Sequence, residues 1–424
     1  MVRSNTPEVW RGDVAGAAGP EPDVLSDVLE DEAYAAALAS LHGVGPARLR
    51  ALIADGSPTE AWRALREGGT GGEAWRVDAA REAMSLDVAA VWRAHCEAGV
   101  RVLWRGMAGY PAVLSRDHEA PAVLFCLGDT AALDAHPRVA IVGTRSATRY
   151  GLGMAAQLGA DLAAVGVVVV SGLALGIDGA AHEGAVAAYR AAAREPGEPS
   201  PTSGDSTHVA PPVAIVAGSL AAPYPRQHAG LWQRVAAAGA VLSEAPLGAA
   251  DLGWRFPMRN RIIAALADVV VVVECHLRGG ALHTVHAAAA RGIPVGAVPG
   301  SVRSPASAGT NSLLADGCFV VRDAADVLVA LGLATAATVP VRVRERRDRA
   351  THAAPASTPD TGAANGVLLD ERAAGVLDAL GWEPVSLDEL ARETGGGIDE
   401  VSAALERLRC QGMVEGLGGV WRRV

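Results

Sequence analysis

Six short, mostly apolar segments, most of them rich in valine, alternate with helix-length stretches and constrain the fold more than any other feature of the sequence. They lie at residues 138–142, 167–170, 213–217, 269–273, 293–298 and 318–321. Strands that are apolar on both faces and separated by helices form a parallel sheet with helices on both sides. Residues 138 to about 333 therefore predict a doubly wound, Rossmann-like α/β domain.

Composition divides the rest of the chain into flanking segments. Residues 1–29 are rich in glycine, proline and acidic side chains and show no periodicity, which is typical of disorder. Residues 193–212 predict a flexible insertion between a helix and the next strand. The predicted segments, in chain order, are a disordered tail (1–29), a small helical domain of the helix-hairpin-helix or SAM-like type (30–105), an extended Rossmann-like domain (106–333), a linker (334–366) and a winged-helix domain (367–424).

The stretch LHGVGPARLRALI, residues 41–53, interrupts the first helical pattern with two closely spaced glycines. Gly43 and Gly45 fit a helix-hairpin-helix, in which glycines let a turn present backbone N–H groups to a phosphate. The same residues fit an ordinary turn between two helices of a small bundle. The sequence leaves both interpretations open.

The C-terminal segment has the pattern of a winged helix. A helical pattern covers 370–380, Ser386 with Glu389 forms a capping box for a second helix, and a third helix follows. The tail MVEGLGGVWRRV predicts a two-stranded wing that turns at Gly418 and Gly419. The third helix has balanced charges, so we expect it to contact a protein or a second copy of the chain rather than DNA. Its expected buried face consists of Ile398, Val401, Leu405 and Leu408.

The charged residues restrict how this chain binds an anion. Its formal net charge is −10 and it contains no lysine, so all 37 basic residues are arginine. This balance argues against a protein coated in basic surface, but it leaves room for a local basic groove. Apart from histidine, the cationic side chain available to bind an anion is therefore arginine. Its planar guanidinium binds phosphate bidentately.

The cysteines and the hydropathy indicate the compartment. The five cysteines are widely separated and include no CxxC pair, which argues against both a disulfide framework and a zinc site. The N-terminus lacks a signal-peptide core, and no apolar run reaches the roughly 18 residues of a membrane span. We expect a soluble, cytoplasmic protein without a metal, a cofactor or a membrane contact. The cysteines are Cys96, Cys126, Cys275, Cys318 and Cys410.

The residues after each strand indicate function, because ligands of open parallel sheets bind beyond the carboxyl ends of the strands. After the first valine-rich strand, Gly143 allows the close approach of an anion, and we expect Arg145 in the crevice near a helix N-terminus. A dinucleotide site requires an acidic residue at the end of the next strand, where Ser171 stands. Dinucleotide binding therefore loses its main support.

The loop SGLALGID, residues 171–178, opens the helix after the second strand. Ser171 and the backbone of Gly172 are candidates to cradle another phosphate. In the alternative interpretation the loop is a tight turn in which Asp178 caps the helix.

The segment RFPMRNRII, residues 255–263, gathers arginines around one aromatic side chain. Phe256 offers a stacking face, and Asn260 offers an amide that meets a base edge or a backbone. Arg259 and Arg261 supply positive charge. An aromatic ring among arginines is what single-stranded nucleic acid requires, because bases stack and phosphates pair with cations.

A second interpretation of the same segment needs no nucleic acid. In it, the segment is an arginine-rich helix start whose side chains pair with Asp251 and Asp268, a common arrangement at a protein surface.

The residues that most resemble a catalytic set are Ser171, Asp178 and His182. Asp178 and His182 are four apart on one helix, a spacing that suits a surface pair more readily than an oriented base. Because no other constellation in the sequence indicates catalysis, we expect a protein that is not an enzyme.

Several motifs occur together in one order and spacing. They are YPAVL (110–114), VGTRSATRYG (142–151), SGLALGIDGAAH (171–182), YPRQH (224–228), LSEAPLG (242–248), RFPMRNRIIAALAD (255–268), VVE (272–274) and VPGS…GTNSLLADG (298–317). This set resembles the DNA-processing protein A family, also called Smf. The resemblance covers about residues 106–320, and the flanking helix-hairpin-helix and winged-helix segments resemble the accessory domains of that family.

The resemblance implies a protein without enzymatic activity that binds single-stranded DNA in an extended Rossmann domain. It also implies a homodimer that shields incoming DNA during natural transformation and helps load the RecA recombinase. The residues it assigns to DNA binding, together with an arginine in place of family lysines, are Gly143, Thr144, Arg145, Ser171, Gly172, Arg255, Phe256, Arg259, Asn260 and Arg261.

The chain departs from the family pattern at a few positions. GALHT, residues 280–284, stands in place of a GSLIT-like stretch. Ala217 and His228 stand where glycine and asparagine are common. Because the chain has no lysine, Arg255 or Arg226 takes the place of the lysines that contact DNA in relatives.

Two other functions compete with this expectation. One is a Rossmann-fold nucleotide hydrolase of the lysine-decarboxylase-like type, whose PGGxGT loop corresponds here to PGSVRSPASAGT, residues 299–310. The other is an adaptor that binds proteins through the winged helix, which would leave the arginine cluster unexplained.

Overall fold

The structure of the chain is a computed structural model with two compact units, residues 1–342 and 343–424. It describes residues 29–54, 56–68, 73–135, 137–192, 209–250, 252–333, 373, 376, 380, 385–410, 414–417 and 420–423. The predicted tail up to residue 28, residues 193–208 of the predicted insertion and the whole predicted linker lie outside these residues.

Five short helices open the described part of the chain, namely α1 (Asp31–Ser40), α2 (Pro46–Leu52), α3 (Pro58–Glu67), α4 (Ala74–Ala83) and α5 (Val88–Glu97). Helix α3 begins with a capping box, in which the Ser57 hydroxyl accepts from the Glu60 N–H and the Glu60 carboxylate accepts from the Ser57 N–H. Trp62 of this helix is buried beside Tyr34, with 6.2 Å between the ring centroids. The helices share one hydrophobic core with a face of the large sheet.

The large sheet contains nine strands from the described residues. They are β1 (Arg101–Trp104), β2 (Val123–Gly128), β3 (Arg138–Val142), β4 (Val168–Ser171), β5 (Val213–Val216), β6 (Ala240–Ser243), β7 (Val269–Val272), β8 (Val295–Ala297) and β9 (Phe319–Val320). Their spatial order is β1-β2-β6-β5-β4-β3-β7-β8-β9. All neighbours from β6 to β9 are parallel, which confirms the predicted Rossmann-like sheet.

Helices cover both faces of this sheet, and every residue of β4 and of β7 is buried. The two faces form separate hydrophobic cores, as expected when parallel strands are covered on both sides. The helices are α6 (Ala112–Ser115), α7 (Arg149–Ala164), α8 (Ile177–Ala192), α9 (Ala229–Ala238), α10 (Arg255–Leu266), α11 (Ala281–Ala289), α12 (Ala308–Ala315) and α13 (Ala324–Ala330).

Three strands of the sheet, β1, β2 and β6, are not among the six runs that the sequence singles out. Strand β1 lies inside the range predicted for the helical domain, and it pairs antiparallel with β2, so that Trp104 is opposite Val123. Strand β2 in turn pairs antiparallel with β6. Strand β6 follows α9 after Gly239 alone, so an apolar helix pattern continues into the strand without a polar break.

The winding of the sheet reverses between β3 and β7. Strands β4, β5 and β6 are added on one side of β3, whereas β7, β8 and β9 are added on the other. Strands β3 and β7 are paired in parallel up to Val142 and Val272. Loops that leave the sheet in opposite directions open a crevice at such a switch point, where doubly wound sheets bind ligands.

The C-terminal unit contains β10 (Val385–Ser386), α14 (Leu387–Thr394), α15 (Ile398–Cys410), β11 (Val414–Leu417) and β12 (Val420–Arg423). Strands β11 and β12 form the predicted antiparallel pair, and β10 joins them as a third strand. The Ser386 hydroxyl accepts from the Glu389 N–H and caps α14. Most of the predicted first helix and the glycine turn of the wing lie outside the described residues.

The buried face of α15 is the predicted one except at its first residue. Val401, Leu405 and Leu408 are fully buried, whereas Ile398 is 51% exposed. Ile398 is the first residue of the helix, so it lies at the edge of the small core rather than over it. None of the helices in the described part of the chain combines the length and apolar character needed to cross a membrane.

Candidate nucleic-acid interface

The crevice at the switch point has a volume of about 450 Å³ and brings six of the ten predicted site residues together. They are Gly143, Thr144, Arg145, Phe256, Arg259 and Asn260. Two arginines, Arg145 and Arg259, and one carboxyl group, that of Asp178, lie in its described lining. Arginines therefore outnumber acidic side chains there, although the chain as a whole is acidic.

Helix α10 presents Phe256, Arg259 and Asn260 to the crevice because residues three and four apart share one side of a helix. Pro257 lies in the first turn, where its missing N–H removes no intrahelical hydrogen bond. The Asn260 amide accepts from the Arg259 Nε at 3.1 Å and donates to the Gly280 carbonyl at 3.3 Å. Asn260 thus joins α10 to the segment after β7.

Arg145, Phe256 and Tyr224 form a cluster of side chains, of which Arg145 and Phe256 line the crevice. The exposed Arg145 guanidinium lies 4.9 Å from the centroid of the Phe256 ring, within the range of a cation–π contact. Tyr224, 46% exposed, lies beside the same ring, with 5.6 Å between centroids. Sequence reasoning did not select Tyr224 as a site residue, although its YPRQH motif follows the carboxyl end of β5.

Arg259 lies in the wall of the crevice and is only 6% exposed. Its Nη1 donates to the Gly172 carbonyl at 2.8 Å and to the Ile215 carbonyl. Burial lowers the pKa of Arg259 to about 10, so the guanidinium stays charged at neutral pH. The bonds to two strand-end carbonyls give Arg259 a structural role that its sequence position did not reveal.

Asp178 is the carboxylate beside Arg259, and it too is buried. Burial raises its pKa, while Arg259 and hydrogen bonds from the backbone of Gly172 and Gly143 act in the opposite direction. The sequence interpretation assigned the Gly172 backbone to a bound phosphate. In the structure the side chain of Asp178 accepts from this backbone, so an internal carboxylate occupies the expected anion position.

Close packing within the chain requires glycine at positions 143 and 172. A Cβ on Gly172 would collide with the side chains of Arg259 and Asp178. A Cβ on Gly143 would lie 2.5 Å from the Ile177 side chain and 2.8 Å from the Glu274 carbonyl. Both glycines therefore allow neighbouring segments of this chain to approach, which is the role that the sequence interpretation gave to a ligand.

Ser171 does not open into the crevice. It is fully buried, and its hydroxyl donates to the Ile141 carbonyl at 2.6 Å, which links β4 to β3. The next loop residue after Gly172, Leu173, has a φ of 52° although it is not glycine, and its side chain is fully buried. The His228 Nδ1 donates to the Leu173 carbonyl at 3.0 Å, so tertiary contacts hold this strained residue in place.

Glu274 occupies the N-terminus of α7, the helix that follows β3. Its carboxylate accepts from the Thr148 N–H at 2.8 Å and from the Thr148 hydroxyl at 2.5 Å, and it is buried. A Cβ on Gly151, in the first turn of α7, would collide with the same carboxylate. The helix N-terminus that binds a phosphate in nucleotide sites of this fold is therefore filled by a side chain of the protein.

Arg261 does not reach the crevice, contrary to its predicted grouping with Arg259. It is 6% exposed, and its Nη2 donates to both oxygens of Glu244, at 2.6 and 2.7 Å. Its Nη1 donates to the Glu119 carbonyl at 2.7 Å. Residues two apart on a helix point to nearly opposite sides, so Arg259 and Arg261 cannot serve one surface.

In the part of the chain that the structure describes, these arginines do not form the ion pairs with Asp251 and Asp268 that the second interpretation of residues 255–263 suggested. Asp268 accepts from the Arg138 backbone N–H at 2.8 Å, at the start of β3. Asp251 lies outside the described residues. The contacts of Arg259 and Arg261 are instead made with strand-end carbonyls, Asp178 and Glu244.

Arg255 lies on the other side of the start of α10. Its guanidinium is 5.1 Å from the centroid of the Trp254 ring, and both residues line a neighbouring groove instead of the crevice. The predicted replacement of a family lysine by Arg255 thus concerns a different surface from that of Arg145.

Asp178 and His182 do not form the surface pair that their spacing suggested. His182 is fully buried, and burial lowers its pKa to about 4. Since the Ser171 hydroxyl donates to Ile141, the three residues do not form a nucleophilic triad. Among the described residues, no group of three His, Cys, Asp or Glu side chains is arranged to hold a metal ion.

Sequence models of known families match two parts of the chain. The sequence model of the family described as DNA recombination-mediator protein A matches residues 101–332, more than half of the 424 residues. A second model, described as the DprA winged helix domain, matches residues 352–419. The second match begins within the segment that the sequence assigns to the linker, residues 334–366.

Individual relatives support the same assignment. The putative DNA processing protein DprA of Mycobacterium tuberculosis is 38% identical over 305 residues, which are 72% of this chain and 69% of the relative. DNA processing protein DprA of Bacillus subtilis is 34% identical over 56% of this chain and 73% of its own length. The X-ray structure of DNA processing protein A from Streptococcus pneumoniae aligns with a TM-score of 0.57 and 26% identity, over 71% of this chain and 98% of that chain. The resemblance inferred from the motifs is confirmed, and the chain belongs to the DNA recombination-mediator protein A family.

Proposed function

We propose that the crevice binds single-stranded DNA and that the protein acts as a recombination mediator rather than as an enzyme. One observation carries the proposal: Arg145 is exposed at the switch point, stacked on Phe256 and close to Tyr224. Arginine and aromatic side chains in one open cleft offer both of the contacts that a single strand makes, ion pairs to phosphates and stacking to bases.

In this proposal Arg145 and the aromatic rings exchange contacts when DNA binds. The guanidinium covers a face of Phe256 in the free protein, so a base that stacks there displaces it toward a phosphate. Stacking requires bases whose faces are open, which double-stranded DNA does not offer. The crevice therefore selects single strands by the availability of base faces, without reading a sequence.

The buried members of the site have a supporting role in this proposal. Arg259 lies beside Asp178 and is bound to two carbonyls, so it holds the loop after β4 against strand β5. Gly143, Thr144 and Asn260 line the crevice, whereas Gly172 packs against Arg259 and Asp178. Ser171 and Arg261 act from within the fold and make no direct contact with DNA.

The family supplies the wider setting of the proposal. A protein that coats single strands through a non-sequence-specific cleft is suited to protect incoming DNA during transformation. We extend the proposal to a cytoplasmic homodimer that delivers the strand to the RecA recombinase, as the resemblance to DNA-processing protein A implies.

Side chains of the protein fill the two positions where a nucleotide phosphate would bind, which disfavours the competing nucleotide hydrolase. Glu274 occupies the N-terminus of α7, and Asp178 accepts from the Gly172 and Gly143 backbone. A bound nucleotide phosphate would have to displace two buried carboxylates, each held by several hydrogen bonds. Arg145 is exposed outside these two positions, where it can contact the phosphates of a polymer that passes over the crevice.

A salt titration tests the proposal. We expect the full-length protein to bind a fluorescent oligo-dT, followed by anisotropy, with an affinity that falls steeply between low and moderate salt, because phosphate contacts release counterions. A duplex of the same length should bind more weakly at every salt concentration. Failure to bind oligo-dT at low salt, or equal affinity for the duplex, would contradict the proposal.

A further inference from the structure

Helix α11 begins at the wall of the crevice with an open N-terminus. Gly279, Gly280 and Ala281 line the crevice, and no side chain caps the helix at Gly280. The backbone N–H groups of Gly280 and Ala281 make no hydrogen bond to another described residue. The N-terminus of α7, in contrast, is filled by the Glu274 carboxylate. Helix α11 therefore keeps the free donors and the partial positive charge that attract an anion to a helix N-terminus.

The thiol of Cys275 lies at the same helix start and does not neutralise it. Cys275 is buried, and its Sγ donates to the His276 carbonyl at 3.2 Å. Burial raises the pKa of Cys275 more than the backbone N–H groups of Gly279 and Leu282 lower it. The thiol is therefore neutral at physiological pH, and it leaves the partial positive charge of the helix N-terminus in place.

Thr284, in the first turns of α11, has a buried hydroxyl without a partner. Thr284 lines the crevice although it is only 1% exposed, and its hydroxyl makes no hydrogen bond to another described residue. The carbonyl to which a helical threonine can donate, four residues back, is that of Gly280, and the Asn260 amide donates to it at 3.3 Å. A buried hydroxyl without a partner costs free energy. The Thr284 hydroxyl is thus available to a ligand at the N-terminus of α11.

Two histidines lie on the same side of the crevice. His276 and His283 are both exposed, and both line the crevice. His283 belongs to GALHT, the stretch that departs from the family pattern, and it stands where the GSLIT-like stretch has an apolar residue. Histidine gains positive charge as the pH falls from about 8 to about 5, whereas arginine stays charged. His283 is therefore a contact of variable charge that this chain adds to the crevice.

The other charged and titratable groups around His283 leave this contact unopposed by a neighbouring carboxylate on its own segment. Residues 275–292 contain no aspartate or glutamate. Arg278 and His286 are exposed on this segment and do not line the crevice. The remaining groups of this kind in the described lining are Arg145 after β3, Asp178 in α8, Arg259 in α10, and Cys275 and His276 after β7.

We propose that the N-terminus of α11, with the Thr284 hydroxyl and the His283 imidazole, binds a phosphate of the single strand in the crevice. The inference rests on the proposed function and deepens it. Arg145 follows β3 and α11 follows β7, so the strand is held from both strands of the switch point. Because protonated His283 adds a positive charge at this phosphate, the affinity for single strands rises as the pH falls.

Oligo-dT anisotropy at about pH 6 and about pH 8 tests the role of His283. The full-length wild type is compared with His283→Gln and with His286→Gln, which removes an exposed imidazole of α11 outside the crevice. On acidification, the wild type and the control should gain about threefold more affinity than His283→Gln. Their salt slope should also steepen by about 0.7 more. Asp178 and His276 are present in all three proteins, so the difference isolates His283.

Two substitutions of Thr284 test the helix N-terminus itself. Thr284→Val removes the hydroxyl and keeps the branched shape, so it should weaken oligo-dT binding about tenfold at both pH values, the loss expected for a hydrogen bond to a charged group. Its urea midpoint should be at least that of the wild type, because an unpartnered buried hydroxyl is replaced by a methyl group. Thr284→Ser keeps the hydroxyl and should bind like the wild type.

The outcomes separate the two proposals. If the wild type binds oligo-dT at neither pH, the proposed function is wrong and the inference falls with it. The wild type may bind while Thr284→Val keeps the wild-type affinity, or while His283→Gln gains as much affinity on acidification as the wild type. Either result would show that the phosphate does not lie at α11, and the proposed function would stand.

Discussion

Replacing Arg259 with alanine is expected to destabilise the N-terminal unit by about 3–5 kcal/mol, the cost of removing one partner of a buried ion pair. Asp178 would stay buried without its guanidinium, and the Gly172 and Ile215 carbonyls would lose a donor. Because the loop after β4 and strand β5 are joined through this side chain, DNA binding should fail together with stability. Loss of binding in this variant would therefore be no proof of a DNA contact.

Urea denaturation followed by circular dichroism measures this effect. Arg190→Ala is the matched control, because Arg190 is an exposed arginine in the last turn of α8 and does not line the crevice. Its denaturation midpoint should stay close to that of the wild type. Adding Asp178→Asn to Arg259→Ala should restore part of the loss, since it removes the unpaired buried charge. An Arg259→Ala variant as stable as the control would show that Arg259 has no structural role.

Replacing Arg261 with alanine is the second large effect, again about 3–5 kcal/mol, because Glu244 loses a guanidinium that donates to both of its oxygens. This loss should depend on pH. Burial already raises the pKa of Glu244, and Arg261 is the main group that opposes the rise. Without Arg261 the folded protein takes up a proton on Glu244 at higher pH than the unfolded chain, whose glutamates titrate near about 4.3.

The direction of the pH dependence follows from linkage. A carboxyl whose pKa is higher in the folded state binds more protons there, so its contribution to stability is present at low pH and is lost as the pH rises through the folded value. The loss in free energy of unfolding that Arg261→Ala causes should therefore be smaller at about pH 5 than at about pH 8. In the Arg261→Ala/Glu244→Gln double variant, the loss in free energy of unfolding should no longer depend on pH in this range. A deficit independent of pH in the single variant would contradict the assignment of Glu244 as its cause.

The parallel part of the sheet could be predicted because strands buried on both faces have few polar positions. Residues 139–142 and 269–272 are continuous apolar runs; they form all of β3 except Arg138 and all of β7. Strand β6 was hidden because the alanine-rich end of α9 has the same apolar character. Strand β1 follows a helix in the range predicted to be helical, and its partners β2 and β6 are distant in sequence.

The position of the crevice could be predicted from the sequence, but which of the candidate residues are exposed in it and which are buried could not. The switch-point rule places Arg145 and Phe256 correctly at the carboxyl end of the sheet. The buried roles of Arg259 and Arg261 depend on Asp178 and Glu244, which no local pattern connects to them. One signal was present, since two arginines two residues apart on a helix face opposite directions.

The central claim is that Arg145 is the exposed cation that meets DNA phosphate in the crevice, and one comparison tests it most directly. Oligo-dT affinity is measured across a salt series for the wild type, Arg145→Ala and the Arg190→Ala control, with the urea midpoint of each protein. We predict that Arg145→Ala keeps its midpoint, binds about tenfold more weakly and has a salt slope shallower by about 0.7, the value for one lost phosphate contact on a single strand. If Arg145→Ala binds with the affinity and salt slope of the wild type, the crevice is not where the phosphates lie.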